Sequence, residues 1–190
     1  MARSATTGFR FVKSLTGLEH PGTANFLLAG SATVKIGDLV RVNDAGLLVR
    51  AATGTSPVGV LAGIVDSAGI NAFSPRAGGT AGATLTGDDT IATASDNATN
   101  AAKSLKGQVI VDPAGVCLFK CITDVAVAQT NVLQFFDVDA GSTVTVGGSD
   151  ANGQVQLVEL DPDSTTSGLF RINESQFNAG LDTATAKIAA

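Results

Sequence analysis

Hydrophobic and polar residues alternate with period two along most of this chain, and a helical period is almost absent. The alternation is densest from Val34 to Val65, VKIGDLVRVNDAGLLVRAATGTSPVGVLAGIV. Three successive strands are predicted there. Val34 and Ile36 alternate with polar neighbours, and Val40 and Val42 resume the pattern after a bend or bulge at Gly37-Asp38. Asn43-Asp44-Ala45-Gly46 tolerates positive φ and turns the chain into Leu47–Arg50. The loop Thr53–Pro57 leads to a third strand, on which Val58, Val60 and Ile64 are expected to share one face. Gly59 and Gly63 leave the opposite face open to close backbone approach.

Strand signals return at Gln108–Val111, which ends in Asp112-Pro113-Ala114-Gly115, a type I turn sequence. Val116, Leu118 and Ile122 then face one way and Cys117, Phe119 and Cys121 the other. Apolar residues on both faces predict a strand that is central or covered on both sides. Val132–Val138 reads as a strand, turned by Asp139-Ala140-Gly141 into a short edge strand at Thr143–Val146. Gln154–Leu160 and Leu169–Ile172 form a last hairpin. About nine or ten short strands with frequent turns predict an all-β fold, a small barrel or sandwich. No sequence repeat of fixed period is visible.

Two stretches break the pattern. Residues 1–30 read as an extended N-terminal arm, with large apolar residues at irregular spacing between Gly8, Gly17, Pro21 and Gly22. Phe9 and Phe11 alternate around Arg10 as a short strand. Such an arm packs either on its own domain or on a neighbouring subunit. Residues 66–104 form a low-complexity excursion, nearly free of large side chains, within a barrel or sandwich domain spanning 31–177. A hairpin around Thr86-Gly87-Asp88-Asp89 and a helix over Ser95–Lys103 are the elements it could hold, and 178–190 is a tail with modest helix propensity.

Composition sharpens this. Charged residues make up 15% of the 190, against roughly 25% in an average soluble chain. That deficit, filled by Gly, Ala, Ser and Thr, suits a surface partly covered by neighbours. The net charge of −5 argues against nucleic acid and anionic membrane surfaces as partners. The charge is uneven: Arg3, Arg10 and Lys13 meet no acid among residues 1–13. No secretory signal is visible at the N-terminus, and no apolar run reaches the roughly 20 residues that a membrane helix needs. These features predict a protein made in a cytoplasm.

No catalytic, cofactor or metal site is predicted, and no enzyme. His20 lies in a loop with no nucleophile or orienting acid placed beside it. Cys117 and Cys121 would lie about 13 Å apart on one strand, too far for a disulfide, and are expected as buried thiols. With one His and no other Cys, they lack the rest of a zinc set. Asp137/Asp139 and Asp161/Asp163 lack the glycine and distal glutamate of a calcium loop. Gly78–Gly82 matches no phosphate-binding loop.

The run VKIGDLVRVNDAGLLVRAATGTSPVGVLAGIVDSAG, preceded by a basic-aromatic arm, resembles the small all-β capsid decoration (cement) proteins of tailed bacteriophages. In that family a "G-D-x-V … G-x-L … A-T … x-V-x-G-V" barrel follows an N-terminal extension. The closing segment GQVQLVELDPDSTTSGLFRINESQFN is similar in style to phage virion proteins. The resemblance covers about half of the chain and omits the 66–104 excursion. It implies a homo-oligomer, a trimer before a dimer, on the exterior of a virion capsid, bridging adjacent major capsid protein subunits. Phe9, Phe11 and Phe26 are then expected as partner anchors, and Arg3, Arg10 and Lys13 as contacts to acidic capsid surface. A tail or fibre subunit or a surface adhesin module is the alternative; the repeats of the first and the secretion signal of the second are not seen.

Overall fold

The computed structural model describes residues 8–17, 21–29, 33–65, 91–92, 106–147 and 152–175. The strands are β1 (Arg10–Ser14), β2 (Thr23–Leu27), β3 (Thr33–Val34), β4 (Leu39–Val42), β5 (Leu48–Arg50), β6 (Gly59–Val65) and β7 (Ile91–Ala92). They continue with β8 (Lys106–Val111), β9 (Cys117–Ile122), β10 (Phe135–Asp139), β11 (Thr143–Thr145), β12 (Val155–Leu160) and β13 (Ser167–Ile172). A six-stranded sheet runs β1-β9-β13-β12-β10-β11 and a five-stranded sheet β2-β8-β6-β4-β5, with β3 and β7 paired separately. All ladders are antiparallel. The fold is all-β and of sandwich type, as its alternation predicts; neither sheet closes into a barrel.

Both sheets curl. The end of β2 touches β5 through a single bridge, Leu28 to Leu48, and the end of β9 touches β11 through Thr123 to Val144. The curl of the five-stranded sheet encloses Leu28, Val40, Leu48, Leu61, Ile64 and Val109. Its other face contributes Leu39, Val60 and Ile110 to a larger core with Phe119, Phe136, Leu157, Phe170 and Ile172 of the six-stranded sheet. Strands β6 and β8 are thus apolar on both faces, which is why GVLAGIV and KGQVIV carry so few polar residues.

The two sheets contain the same unit twice. The order β2-β8-β6-β4-β5 corresponds to β9-β13-β12-β10-β11. Leu61 pairs with Val109, the register then slips, and Gly63 pairs with Gln108; likewise Leu157 pairs with Phe170, slips, and Glu159 pairs with Leu169. Val42 faces Leu48 as Val138 faces Val144. Before the second pair of strands, Gly37 N–H donates to Leu61 O at 2.7 Å and Leu133 N–H to Leu157 O at 2.8 Å. Both residues have positive φ, 93° and 68°. The offset is 96 residues from β4 through β6, and it shrinks to 61 at β8 and β13 because more residues separate β6 from β8 than separate β12 from β13.

The repeat explains two departures from the sequence reading. The strand expected from Val132 begins at Phe135, because a 3-10 turn at Gln129–Asn131 and the left-handed Leu133 occupy the place of the Gly37 bend. The common face expected for Val58, Val60 and Ile64 does not exist. The bulge at Ala62 shifts parity, so Val60 enters the larger core while Ile64 enters the smaller one; Val58, which precedes β6, also joins the smaller core.

Residues 8–29 are not a separate arm as far as they are described. β1 adds to β9 and β2 to β8, so this segment supplies an outer strand to each sheet. Its irregular apolar spacing arises because β1 and β2 serve different sheets. The 86–89 hairpin, the 95–103 helix and the 178–190 tail lie outside the described residues.

Candidate interaction surface

The outer face of the six-stranded sheet gathers charge. Strand alternation turns Lys120 away from the core that holds Phe119 and Cys121, and Arg171 away from Phe170 and Ile172. Arg10 lies directly opposite Lys120 in the ladder. Lys13 reaches over to Glu159, with Nζ 2.8 Å from Oε1 and 3.0 Å from Oε2; both groups are exposed, so the pair adds little stability. Lys120 Nζ sits 2.5 Å from Oδ2 of the buried Asp161, which also accepts from Ser167 Oγ. Burial raises the Asp161 pKa, but Lys120 and the Ser167 hydroxyl outweigh it and hold the carboxyl below its usual value. Arg171 Nε donates to Gln156 Oε1 at 2.6 Å. Four cations and two carboxylates thus share one face of an acidic chain. Val12, at the bulge of β1, and Leu15 protrude beside them.

The expected partner residues separate into distinct roles. Phe9 is 4% exposed and packs in the larger core, so it has no free ring to anchor a partner. Phe11 is half-buried and meets Phe119 edge-on, with centroids 6.1 Å apart and planes at 72°. Its inner face is thereby used in its own sheet. Phe26 is half-buried against the smaller core, opposite Gly107. Arg10 and Lys13 are exposed on β1. Arg3 lies outside the described residues, as does His20.

Cys117 and Cys121 are both buried and free. Burial pushes the Cys117 thiol up to about 11, helped by Asp112, and raises Cys121 further. Both therefore stay protonated and inert at neutral pH. Among the described residues, no group of three or more His, Cys, Asp and Glu converges to hold a metal. No helix there is long and apolar enough to cross a membrane.

Three buried polar residues organise the junctions, and the sequence pattern leaves the first of them, Gln154, unmarked. Gln154 is fully buried and bonds loop carbonyls of the first unit to a strand of the second. Asp112, fixed by the turn that sequence identified, accepts from Val116 N–H at 3.0 Å and Cys117 N–H at 2.8 Å. Asp38 is 1% exposed; Oδ2 accepts from Lys35 N–H at 2.8 Å, while Oδ1 has no partner. Burial lifts its pKa to about 6, against the Lys35 N–H bond and the charges of Arg50 and Lys35. Its counterpart in the second unit is Gln134, so a neutral side chain fits this position.

A raised carboxyl pKa favours folding when protonated. The contribution of Asp38 is therefore complete below pH 4 and lost as pH rises through about 6. Asp38→Asn should gain on the order of 2 kcal/mol over wild type at pH 7 and none at pH 4. Chemical denaturation of both proteins at several pH values reads the difference. A constant gap between them would remove Asp38 as its source.

Comparison with known protein families, with curated proteins and with solved structures finds no match to this chain.

Proposed function

We propose that this protein is a structural component of a bacteriophage virion, binding the capsid exterior and bridging adjacent major capsid protein subunits. In this reading it is no enzyme and needs no cofactor. It assembles in the bacterial host's cytoplasm and works as a homo-oligomer. The observation that carries the reading is the outer face of the six-stranded sheet. There Arg10, Lys13, Lys120 and Arg171 collect on a chain of net charge −5, next to the protruding Val12 and Leu15. A local cationic face with apolar points suits docking on an acidic protein surface, with the charges steering the encounter. The resemblance of Val34–Gly69 to decoration proteins supports the same assignment.

The test is co-sedimentation with capsids of the phage that encodes it. Arg10→Glu with Lys13→Glu reverses exposed charges without touching the core, whereas removing residues 1–13 would also take out Phe9. The double variant should bind at least tenfold more weakly, and wild-type binding should weaken with salt. Unchanged binding by the variant removes this face from the contact. No binding by the wild type ends the proposal.

A further inference from the structure

The internal repeat gives the two sheets the same strand positions, and one position is filled differently in each. Beside β9, the first strand of the second unit, lies β1. Beside β2, the first strand of the first unit, no strand pairs among the described residues. Other outer strands carry protection. β5 and β11 meet Leu28 and Thr123, and β1 presents Arg10, Lys13 and a bulge. Such devices keep sheet edges from pairing with other chains. β2, Thr-Ala-Asn-Phe-Leu, has no charge, proline or bulge, and Leu27 is 45% exposed.

From this we infer that β2 pairs antiparallel with β2 of a second copy of the chain, about a two-fold axis at Asn25. The occupant follows from the repeat. Beside β9, an aromatic ring of the added strand, Phe11, stands opposite Phe119 and closes the core edge. The residue of β2 equivalent to Phe119 is Ala24, which pairs with Val109 as Phe119 pairs with Phe170. A small residue there leaves room for a large one on the added strand. Two-fold pairing at Asn25 places Phe26 of the second copy opposite Ala24, in the role that Phe11 plays beside β9. It also sets Thr23 opposite Leu27, covering that exposed side chain, and brings no like charges together. The pairing is isologous, so it closes as a dimer and does not propagate.

One short strand pair forms few hydrogen bonds, and association costs rotational freedom. The dimer is therefore weak, with a dissociation constant of roughly 10 μM to 1 mM. Neighbouring copies held on one surface would pair at a far higher effective concentration. Self-association of this kind stands apart from the capsid assignment, since its test contains no capsid.

Sedimentation of the full chain over a concentration series should show a reversible monomer–dimer equilibrium. Asn25→Lys places two ammonium groups face to face at the axis and should weaken the dimer at least tenfold with unchanged circular dichroism. Val12→Lys on β1 should leave it intact. Asn25→Cys brings the two thiols within disulfide range, because Cα atoms of facing residues lie about 4.5–5.5 Å apart. Mild oxidation should then give a covalent dimer much faster than with Ala45→Cys at an exposed turn; the native cysteines are buried. Equal cross-linking rates for the two cysteine variants, or association unaffected by Asn25→Lys, overturn the pairing. So does a chain that stays monomeric to millimolar concentration.

Discussion

Gly59→Val should cost at least about 3 kcal/mol of folding stability, a substantial part of the roughly 5–15 kcal/mol that a domain commonly has. A Cβ at Gly59 would lie 2.2 Å from the backbone oxygen of Ile110 and 2.6 Å from Val109 Cγ1. The first of these is main chain in a paired strand, so β6 and β8 would have to separate. Those two strands hold both cores together, since Val60 and Ile110 face one and Leu61 and Val109 the other. The repeat makes the prediction sharper. The equivalent residue of the second unit is Val155, fully buried without conflict. Repeat equivalence alone would make valine harmless at 59. The close approach is specific to the first unit, and urea unfolding decides between the two. A midpoint shift equivalent to less than 1 kcal/mol would show that the strands relax apart easily.

The glycine constraint was legible in the sequence because two glycines interrupting an apolar strand signal that another backbone comes close. So were the Asn43–Gly46 turn, where Asn43 Oδ1 accepts from Ala45 and Leu47 N–H at 3.0 Å each, and the Asp112–Gly115 turn. These are local chemistry, carried by residues adjacent in sequence. The repeat was not legible. Between 39–65 and 135–161 only Val42/Val138 and Leu61/Leu157 are identical, because a buried sheet position asks for volume and apolarity and accepts many side chains that supply them. Leu133 shows how far the disguise goes. It adopts the positive φ that its counterpart Gly37 adopts, with an exposed side chain and nothing in its identity to betray the bend.

The candidate surface was half legible. Alternation around Arg10 identified β1 and its exposed cations. It could not show that Phe9 would be drawn into the core, because the segment that receives it, around Gly37, is distant in sequence. Phe9 N–H donates to Gly37 O at 2.6 Å, a contact between the chain's start and the bend that opens β4. The cations Lys120 and Arg171 were hidden for the same reason. Each reads as one polar residue in a separate strand, and only the order β1-β9-β13-β12 brings them to one face.

Gln154→Leu should be as damaging as a large core deletion, about 3–5 kcal/mol, although it removes no volume and adds apolar character. Gln154 Oε1 accepts from Val138 N–H at 3.0 Å. Its Nε2 donates to Ala52 O at 2.9 Å and Thr55 O at 2.6 Å. The β10–β12 ladder pairs Phe136 with Val155 and stops there, so the carboxamide continues it by side chain and ties the β5–β6 loop to the second unit. Leucine would leave the Val138 N–H and the Thr55 carbonyl without partners, while Ala52 O would keep its bonds from the N–H and hydroxyl of Thr55. Each such loss costs about 1–3 kcal/mol, far more than one extra apolar group returns. Gln156 provides the contrast: it is buried too, but it bonds the carbonyl of the exposed Leu133 and the half-buried Arg171, groups that water can reach once it is gone, so Gln156→Leu should cost under about 1.5 kcal/mol. The form of the transition is informative as well. Leu39, Val60 and Ile110 share a core with the second unit, so Gln154→Leu should still unfold in one cooperative step at lower denaturant, with an unchanged slope. Two separate transitions would mean that the Gln154 bonds, and not the shared core, couple the units. A midpoint equal to that of Gln156→Leu would mean that the vacated loop carbonyl finds another donor.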